Sequence, residues 1–414
     1  MVHQTKNSSI APASSASRTI SHMPRRRASV GRGVAAIVGI GAAALLLAAC
    51  TAPLPPRPPA EPPAAPAAPV DTPVPADAPW LHPRSTWQPA AWDDLPGWRD
   101  DALLQAWPAL QAGCARPAPG WLALCARLTA RPPADDAALR ALLQAHTRPW
   151  RVETPDGADQ GLATGYYEPL VDARRRPDAR HRVPLHALPE GLDPDRPWWS
   201  RREIETVASA RRALAGREIA WVADPLDALV LQIQGSGRLR IVEPDGGVGM
   251  VRLAYAGHNG HAYRSVGRWL IDQGELAPTA ASWPAIKAWA QANPRRVQAL
   301  LWANPRVVFF REEPLADPEA GPRGAMGVPL TPGRSIAVDP QSIPYGALVW
   351  IDTTEPLSAR PLRRLVAAQD TGSAIVGAVR ADYFWGWGDE AARQAGRMKQ
   401  PLRMWVLWPH GGDG

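Results

Sequence analysis

Three aspartates in the last fifth of this 414-residue chain stand where proton chemistry could be assembled. Asp339 lies in Ile336-Ala337-Val338-Asp339-Pro340, Asp370 in Gln369-Asp370-Thr371-Gly372-Ser373, and Asp382 in Arg380-Ala381-Asp382-Tyr383-Phe384-Trp385-Gly386-Trp387. Carboxyl groups among glycines and aromatic rings suit a carbohydrate site. Ring faces stack on sugars, glycine lets backbone approach a ligand, and a carboxyl exchanges protons with the glycosidic oxygen. Asp339 before Pro and Asp370 before Thr-Gly are also good turn residues that satisfy local backbone donors. The turn reading is preferred for Asp339 and stands level with chemistry for Asp370. Asp382 follows a strand-like run and has no turn duty. Arg380 complicates it, because residues i and i+2 of a strand share a face and a guanidinium lowers a nearby carboxyl's pKa, the opposite of what a general acid needs. Either burial and Asp370 outweigh the arginine, or the backbone leaves the strand and aims the two side chains apart.

Upstream stretches add polar groups. Thr164, Gly165 and Tyr166, within Ala163-Thr164-Gly165-Tyr166-Tyr167-Glu168-Pro169, could line a groove, and Glu168 is the rival for a second catalytic carboxyl. Gln232-Ile233-Gln234-Gly235-Ser236-Gly237 alternates amides with small residues. On a strand, Gln232 and Gln234 share a face and could hydrogen-bond sugar acetamides; the alternative is a sheet-edge amide pair before a plain turn. The stretch lacks the third Gly and the Lys-Ser/Thr of nucleotide loops. His258 and His261 have no third ligand at a persuasive spacing, so the reading is a loop entering a helix, with no metal and no cofactor. Trp385 and Trp387, set between glycines, are the candidates for sugar stacking; Trp269, Trp289 and Trp302 fall in helical patterns and read as core.

These groups need a scaffold, and at 45% hydrophobic and 21% charged the chain has material for two domains. The formal charge of +7 is misleading. Residues 1–49 hold Lys6, Arg18, Arg25, Arg26, Arg27 and Arg32 and no acid, and without those six the balance is 40 basic to 39 acidic. The basicity belongs to a leader, which removes the main support for a nucleic-acid partner. An apolar run over 34–49 follows the arginines, too short for a bilayer span of about 20 residues, and ends Leu47-Ala48-Ala49-Cys50. That ending resembles a bacterial lipoprotein processing box, with Cys50 the acylated first residue of the mature chain and Met23 an alternative start. Thr51 in place of Asp points to the outer membrane, by resemblance. Residues 51–80 contain 12 Pro and 8 Ala and should form an extended tether of at most about 90 Å. Cys114 and Cys125 are separated by 11 residues, which permits a disulfide in an oxidising compartment or two buried thiols.

Apolar periodicity predicts mainly helix from 80 to 150, then strands over 163–167, 228–234, 239–242 and 251–255. Helices are expected over 201–214, 263–273, 286–293 and 296–303. A last β-rich stretch takes in 335–338, 347–351, 364–369, 378–382 and 403–407. No repeat and no alternating βαβ pattern occurs, so the fold class is mainly β with helices (α+β), built from barrels.

Asp339, Asp370 and Asp382 together resemble the three-aspartate (3D) domain. With the motifs at 163–169, 232–238 and 257–263, residues 84 to 410 resemble the membrane-bound lytic transglycosylase A (MltA) family, in the family's motif order. The resemblance implies a double-psi β-barrel from 81–165 and 306–410, with a second barrel domain inserted as 166–305 and a groove between them. It also implies a lyase that cleaves the β-1,4 bond between N-acetylmuramic acid and N-acetylglucosamine in peptidoglycan, leaving 1,6-anhydro ends, with glycan strands as the partner and Asp382 and Asp370 catalytic. Substrate contacts would fall on Thr164, Gly165, Tyr166, Glu168, Gln232, Gln234, Ser236, Gly237, Asp339, Gly372 and Trp385. Ser373 and Val376 depart from the family's usual Gly and Lys. One carboxyl can suffice, because the muramic acid's own C6 hydroxyl attacks C1 and no water needs activation. Burial beneath Tyr383, Phe384 and Trp385 would keep Asp382 protonated, with Asp370 orienting the site. The alternatives are a polysaccharide hydrolase on the same barrel, with Asp370 or Glu168 as base, and a non-catalytic cell-wall-binding lipoprotein.

Overall fold

A computed structural model describes residues 78–411, apart from 119, 194 and 195. The expected leader, Cys50 and all but the last three residues of the tether lie outside the described residues.

The chain enters through β1 (Trp80–Leu81) and β2 (Thr86–Pro89), passes through helices α1 (Trp107–Cys114), α2 (Leu122–Ala130) and α3 (Asp136–His146), and returns as β3 (Thr147–Glu153) and β4 (Gly161–Glu168). Asp135 starts α3 by accepting a hydrogen bond from the Ala138 N–H at 2.7 Å, and Leu139 and Leu143 bury its apolar face. The last third adds β11 (Ser335–Val338), β12 (Leu348–Thr354), β13 (Pro361–Asp370), β14 (Arg380–Trp387), helix α10 (Gly388–Ala395) and β15 (Lys399–Pro409). Six strands close into a barrel in the order β4-β14-β11-β13-β12-β15, with β15 pairing back onto β4; β1, β2 and β3 extend the sheet from the other part of β15. The β4–β14 and β11–β13 pairs are parallel and the rest antiparallel. Strands β11 and β12 are buried almost residue by residue, their apolar side chains joining those of α1, α2 and α3 in one core. The alternative left open for the cysteines is resolved: Cys114 and Cys125 form a disulfide, Cα atoms 5.2 Å apart, joining α1 to α2 over the barrel.

Between β4 and β11 the chain builds a second sheet from β5 (Leu170–Arg174), β6 (Val183–His186), β7 (Glu218–Val222), β8 (Gly237–Val242), β9 (Val248–His258) and β10 (Val308–Pro314). Its order is β10-β9-β8-β5-β7-β6, and a bridge from Ala187 to Phe310 brings the two edges together, nearly closing a second barrel. The insertion therefore starts after Glu168 and ends after Pro314; the expected return at 306 falls too early, because β10 pairs along β9.

Helices α4 (Arg201–Thr206) and α5 (Ala208–Leu214) break the expected 201–214 helix at Val207. The strand expected over 228–234 is instead the helix α6 (Pro225–Gln234). Asp224 caps it by accepting from the Leu226 N–H at 2.8 Å, Pro225 occupies the first turn, and Gly235 ends it at φ +76°. Its apolar run is unbroken because two partners bury it. Ala228 and Leu231 face the second sheet, while Leu226 and Leu229 join α7 (Val266–Asp272), α8 (Trp283–Ala292) and α9 (Val297–Ala303). Periodicity alone does not separate such a helix from a buried strand.

The disulfide closes a short loop on the barrel's helical cover. Replacing both cysteines by serine should lower the unfolding free energy by about 2–4 kcal/mol in urea titrations. A loss under about 1 kcal/mol would show that packing alone holds α1 to α2.

Candidate active site

Four barrel strands lay one row of residues side by side. Ala337 on β11 registers with Asp370 on β13 and with Asp382 on β14, and Asp382 registers with Thr164 on β4. The order across the sheet is Asp370, Ala337, Asp382, Thr164. Strand spacing sets the two aspartate Cα atoms about 10 Å apart, with only a methyl group between the carboxyl-bearing side chains.

Both carboxyls are tied down, Asp382 at one oxygen and Asp370 at both. The Thr164 hydroxyl donates to Asp382 Oδ1 at 2.5 Å, and Arg380 Nη2 donates to Thr164 Oγ1 at 2.8 Å. Tyr166, two residues beyond Thr164 and so on the same face of β4, donates its hydroxyl to Asp370 Oδ2 at 3.0 Å and packs its ring on Phe384. The Ala325 N–H donates to Asp370 Oδ1 at 2.9 Å. Burial pushes the Asp382 pKa up against the opposing hydrogen bond from Thr164 and the charge of Arg380. Burial also raises Asp370, to about 6, against hydrogen bonds from the N–H groups of Ala325 and Thr371 and from the Tyr166 hydroxyl, with Asp382 adding to the rise. Burial and then the two aspartates drive the Tyr166 phenol well above its ordinary value. Of the two possibilities raised for Arg380, the first holds in its burial part: β14 stays a strand, and burial, without a contribution from Asp370, outweighs the arginine.

The other expected site residues divide. Gly372 lies in the turn just after Asp370, its carbonyl accepting from the Ile375 N–H at 2.8 Å. Gly165 serves packing, since a Cβ there would come within 2.7 Å of the Trp385 indole and 2.9 Å of the Ala395 Cα. Trp385 is committed likewise: its N–H points at the Met398 sulfur at 3.3 Å and its ring meets Tyr383, which corrects the expectation of a free stacking platform. Trp387 is covered by the Arg238 guanidinium, 3.8 Å from its ring centre.

Asp339 is a buried turn residue. It accepts from Arg84 at 3.0 Å, from the Gly377 N–H at 2.8 Å and from the Gln341 N–H at 3.0 Å, so the turn reading replaces substrate contact. Glu168 is corrected in both expected roles. It is fully buried where the two sheets meet, held by Arg238 at 2.7 Å and Arg252 at 2.6 Å, with no oxygen left for a sugar or a water. On α6, Gln232 and Gln234 point about 200° apart, so they share no face. Gln232 accepts from Arg201 at 2.6 Å and Gln234 from the Tyr167 N–H at 3.1 Å. Ser236 is half-buried beside them, and Gly237 opens β8 pressed on Leu231. His258 Nδ1 accepts from the Gly260 N–H, and His261 Nε2 meets the Trp198 carbonyl.

Two contributors escaped the sequence reading. Ala337 looks like any small strand residue, and its place between the aspartates comes from register. The Gly321–Gly327 loop carried a signal in its three glycines. A Cβ on Gly324 would sit 2.4 Å from the Gln369 carbonyl oxygen, so only glycine lets the loop deliver the Ala325 N–H to Asp370.

Known proteins share both parts of this architecture. Residues 162–311 match the MltA specific insert domain, and residues 334–408 match the 3D domain. Membrane-bound lytic murein transglycosylase A of Escherichia coli K12 is 32% identical over 266 residues, 62% of this chain and 68% of that protein. The solved lytic transglycosylase LtgG of Burkholderia pseudomallei is 48% identical, covering 78% of this chain and 96% of its own, at a TM-score of 0.55. The E. coli MltA structure with bound chitohexaose is 27% identical, covering 80% and 96%, at a TM-score of 0.58.

Asp370 offers a test of its environment by stability. A carboxyl raised from 3.8 to about 6 contributes stability that is complete below the unfolded value and lost as pH rises through the folded one. Relative to Asp370→Asn, the wild-type protein should therefore lose about 1–2 kcal/mol between pH 4 and pH 7.5. Denaturant titrations of both at the two pH values check this; a pH-independent difference would contradict the raised pKa.

Proposed function

This chain belongs to the MltA family and is a peptidoglycan lytic transglycosylase, and from that premise we propose that Asp382 is its acid and base. The observation that carries the assignment is a half-buried carboxyl in the barrel row with one oxygen, Oδ1, held by Thr164 and the other, Oδ2, without a hydrogen-bond partner among the described residues; burial, which raises its pKa, supports it. A carboxyl kept neutral with one oxygen free is suited to donate a proton.

In the reaction, Asp382 gives its proton to the oxygen between N-acetylmuramic acid and N-acetylglucosamine as the C1–O bond breaks. The positive charge developing at C1 is met by the muramic acid's C6 oxygen, which bonds to C1 and closes the 1,6-anhydro ring. The C6 hydroxyl proton passes to the Asp382 carboxylate, restoring the starting state without water. An intramolecular nucleophile held in place can be worth several kcal/mol of the barrier, which is why no second carboxyl has to activate water. Asp370, held by Tyr166 and the Ala325 N–H, orients the site and supplies negative charge near C1 when ionised. Gly372 bounds the site beside it.

The same reading extends to location. The relatives are named membrane-bound, and among the described residues no helix is long and apolar enough to cross a membrane. A lipid on Cys50, with the Pro/Ala-rich segment as spacer, would hold the body at the periplasmic face of the outer membrane and within reach of the glycan strands.

The test is digestion of purified sacculi with wild-type and Asp382→Asn protein, followed by mass spectrometry of the released ends. Wild type should yield 1,6-anhydro ends, and the variant should be slower by about 10²–10⁴-fold. Reducing ends would indicate a hydrolase, and undiminished cleavage by the variant would remove Asp382 from the mechanism.

A further inference from the structure

We infer that Arg380 and Thr164 form a directional hydrogen-bond relay that fixes which oxygen of Asp382 carries the transferred proton. The inference rests on the assignment of Asp382 as acid and base and adds a positioning role for two residues that touch no reacting atom. Thr164 thereby leaves the set of substrate contacts.

The direction follows from what each group can do. Arginine has donors only, so Nη2 of Arg380 must donate to Thr164 Oγ1, at 2.8 Å. A threonine hydroxyl has one proton and two lone pairs; one lone pair takes the arginine N–H, and the proton is donated to Asp382 Oδ1, at 2.5 Å. Oδ1 is then an acceptor and cannot carry the proton of the neutral acid without setting two hydrogens against each other. The acid proton resides on Oδ2, the oxygen with no hydrogen-bond partner among the described residues. Arg380 is itself held, donating from Nη1 to the Ala381 carbonyl at 2.6 Å.

Interposing a hydroxyl has a second consequence. No direct ion pair joins Arg380 to Asp382 among the described residues. A direct pair would lower the carboxyl pKa by roughly 1–3 units and leave the acid without its proton. Through Thr164 the cation is close enough to stabilise the carboxylate formed after protonation, yet not so close that it removes the proton beforehand. Each neighbouring strand contributes what it can to this balance. Strand β4 brings Thr164 and Tyr166, β13 brings Asp370, and β14 brings Arg380. Strand β11 places the uncharged Ala337 opposite, and β15 sets the exposed Lys399 beside Thr164.

The experiment measures kcat and KM against pH for the full chain on soluble peptidoglycan glycan strands, using Thr164→Val, Thr164→Ser, Arg380→Met and Asp382→Asn. Thr164→Val keeps shape and removes the hydroxyl. It should lower kcat by about 10- to 100-fold with KM within about twofold, less than the roughly 10²–10⁴-fold of general-acid catalysis because the acid itself is still present. The alkaline limb of kcat should move to higher pH, because a hydrogen bond favouring the carboxylate is gone. Thr164→Ser should restore both rate and limb. Arg380→Met should shift the limb in the same direction, and it carries the test if Thr164→Val does not fold. An unmoved limb in the Val and Met variants, or a Ser variant as slow as Val, overturns the relay. Full activity in Asp382→Asn overturns instead the assignment on which the relay stands, so the two failures are distinguishable.

Discussion

Two carboxyl groups placed in one row of a barrel, with an arginine two residues before one of them on the same strand, set the terms for everything else in this protein. Burial favours the neutral acid and the arginine favours the anion. The outcome is decided by distance, and distance is decided by strand register. In the proposed relay Thr164 stands between Asp382 and Arg380, and Ala337 occupies the strand between Asp382 and Asp370.

Register of that kind requires a scaffold that does not slip. Closure of β15 onto β4 removes the free edge on which β4 could shift against β14, and the parallel β4–β14 pair carries both halves of the relay. At the far end of β4, Glu168 locks between Arg238 and Arg252 just where the chain passes into the second sheet, and Arg238 also covers Trp387 at the end of β14. Two guanidiniums share the one carboxylate there, and they also donate to the Pro318 and Ala320 carbonyls. They hold the end of the strand that presents Thr164 and Tyr166, and the acidic residue that looked like a rival catalyst is the anchor of the catalytic strand.

How much of this was legible beforehand differs by the kind of signal. Strands with alternating or continuous apolar residues next to Gly and Pro were readable, and Ser335–Val338 agrees to the residue. Asp382 and the conflict with Arg380 were readable from residue types and spacing, whereas Asp370 stood level between turn and chemistry until the resemblance to the family paired it with Asp382. Helix α6 was not, because burial on two sides erases the periodicity that distinguishes helix from strand, although Asp224-Pro225 and Gly235 marked its ends. The fates of Glu168, Asp339 and Trp385 were hidden for a different reason. Their partners, Arg238 and Arg252, Arg84, and Gly165 with Met398, are remote in sequence, and only the folded chain brings them together.

The account depends on Asp382 holding its proton at a pH where an exposed aspartate would have lost it. Carbon-13 NMR titration of aspartate side-chain carboxyls reads this directly, with the Asp382 resonance identified by its disappearance in Asp382→Asn. The expected midpoint for Asp382 lies clearly above the ordinary aspartate value of 3.8, and that of Asp370 at about 6. An Asp382 midpoint at or below 3.8 would mean that Arg380 wins over burial, and the proton-donor role would fall with it.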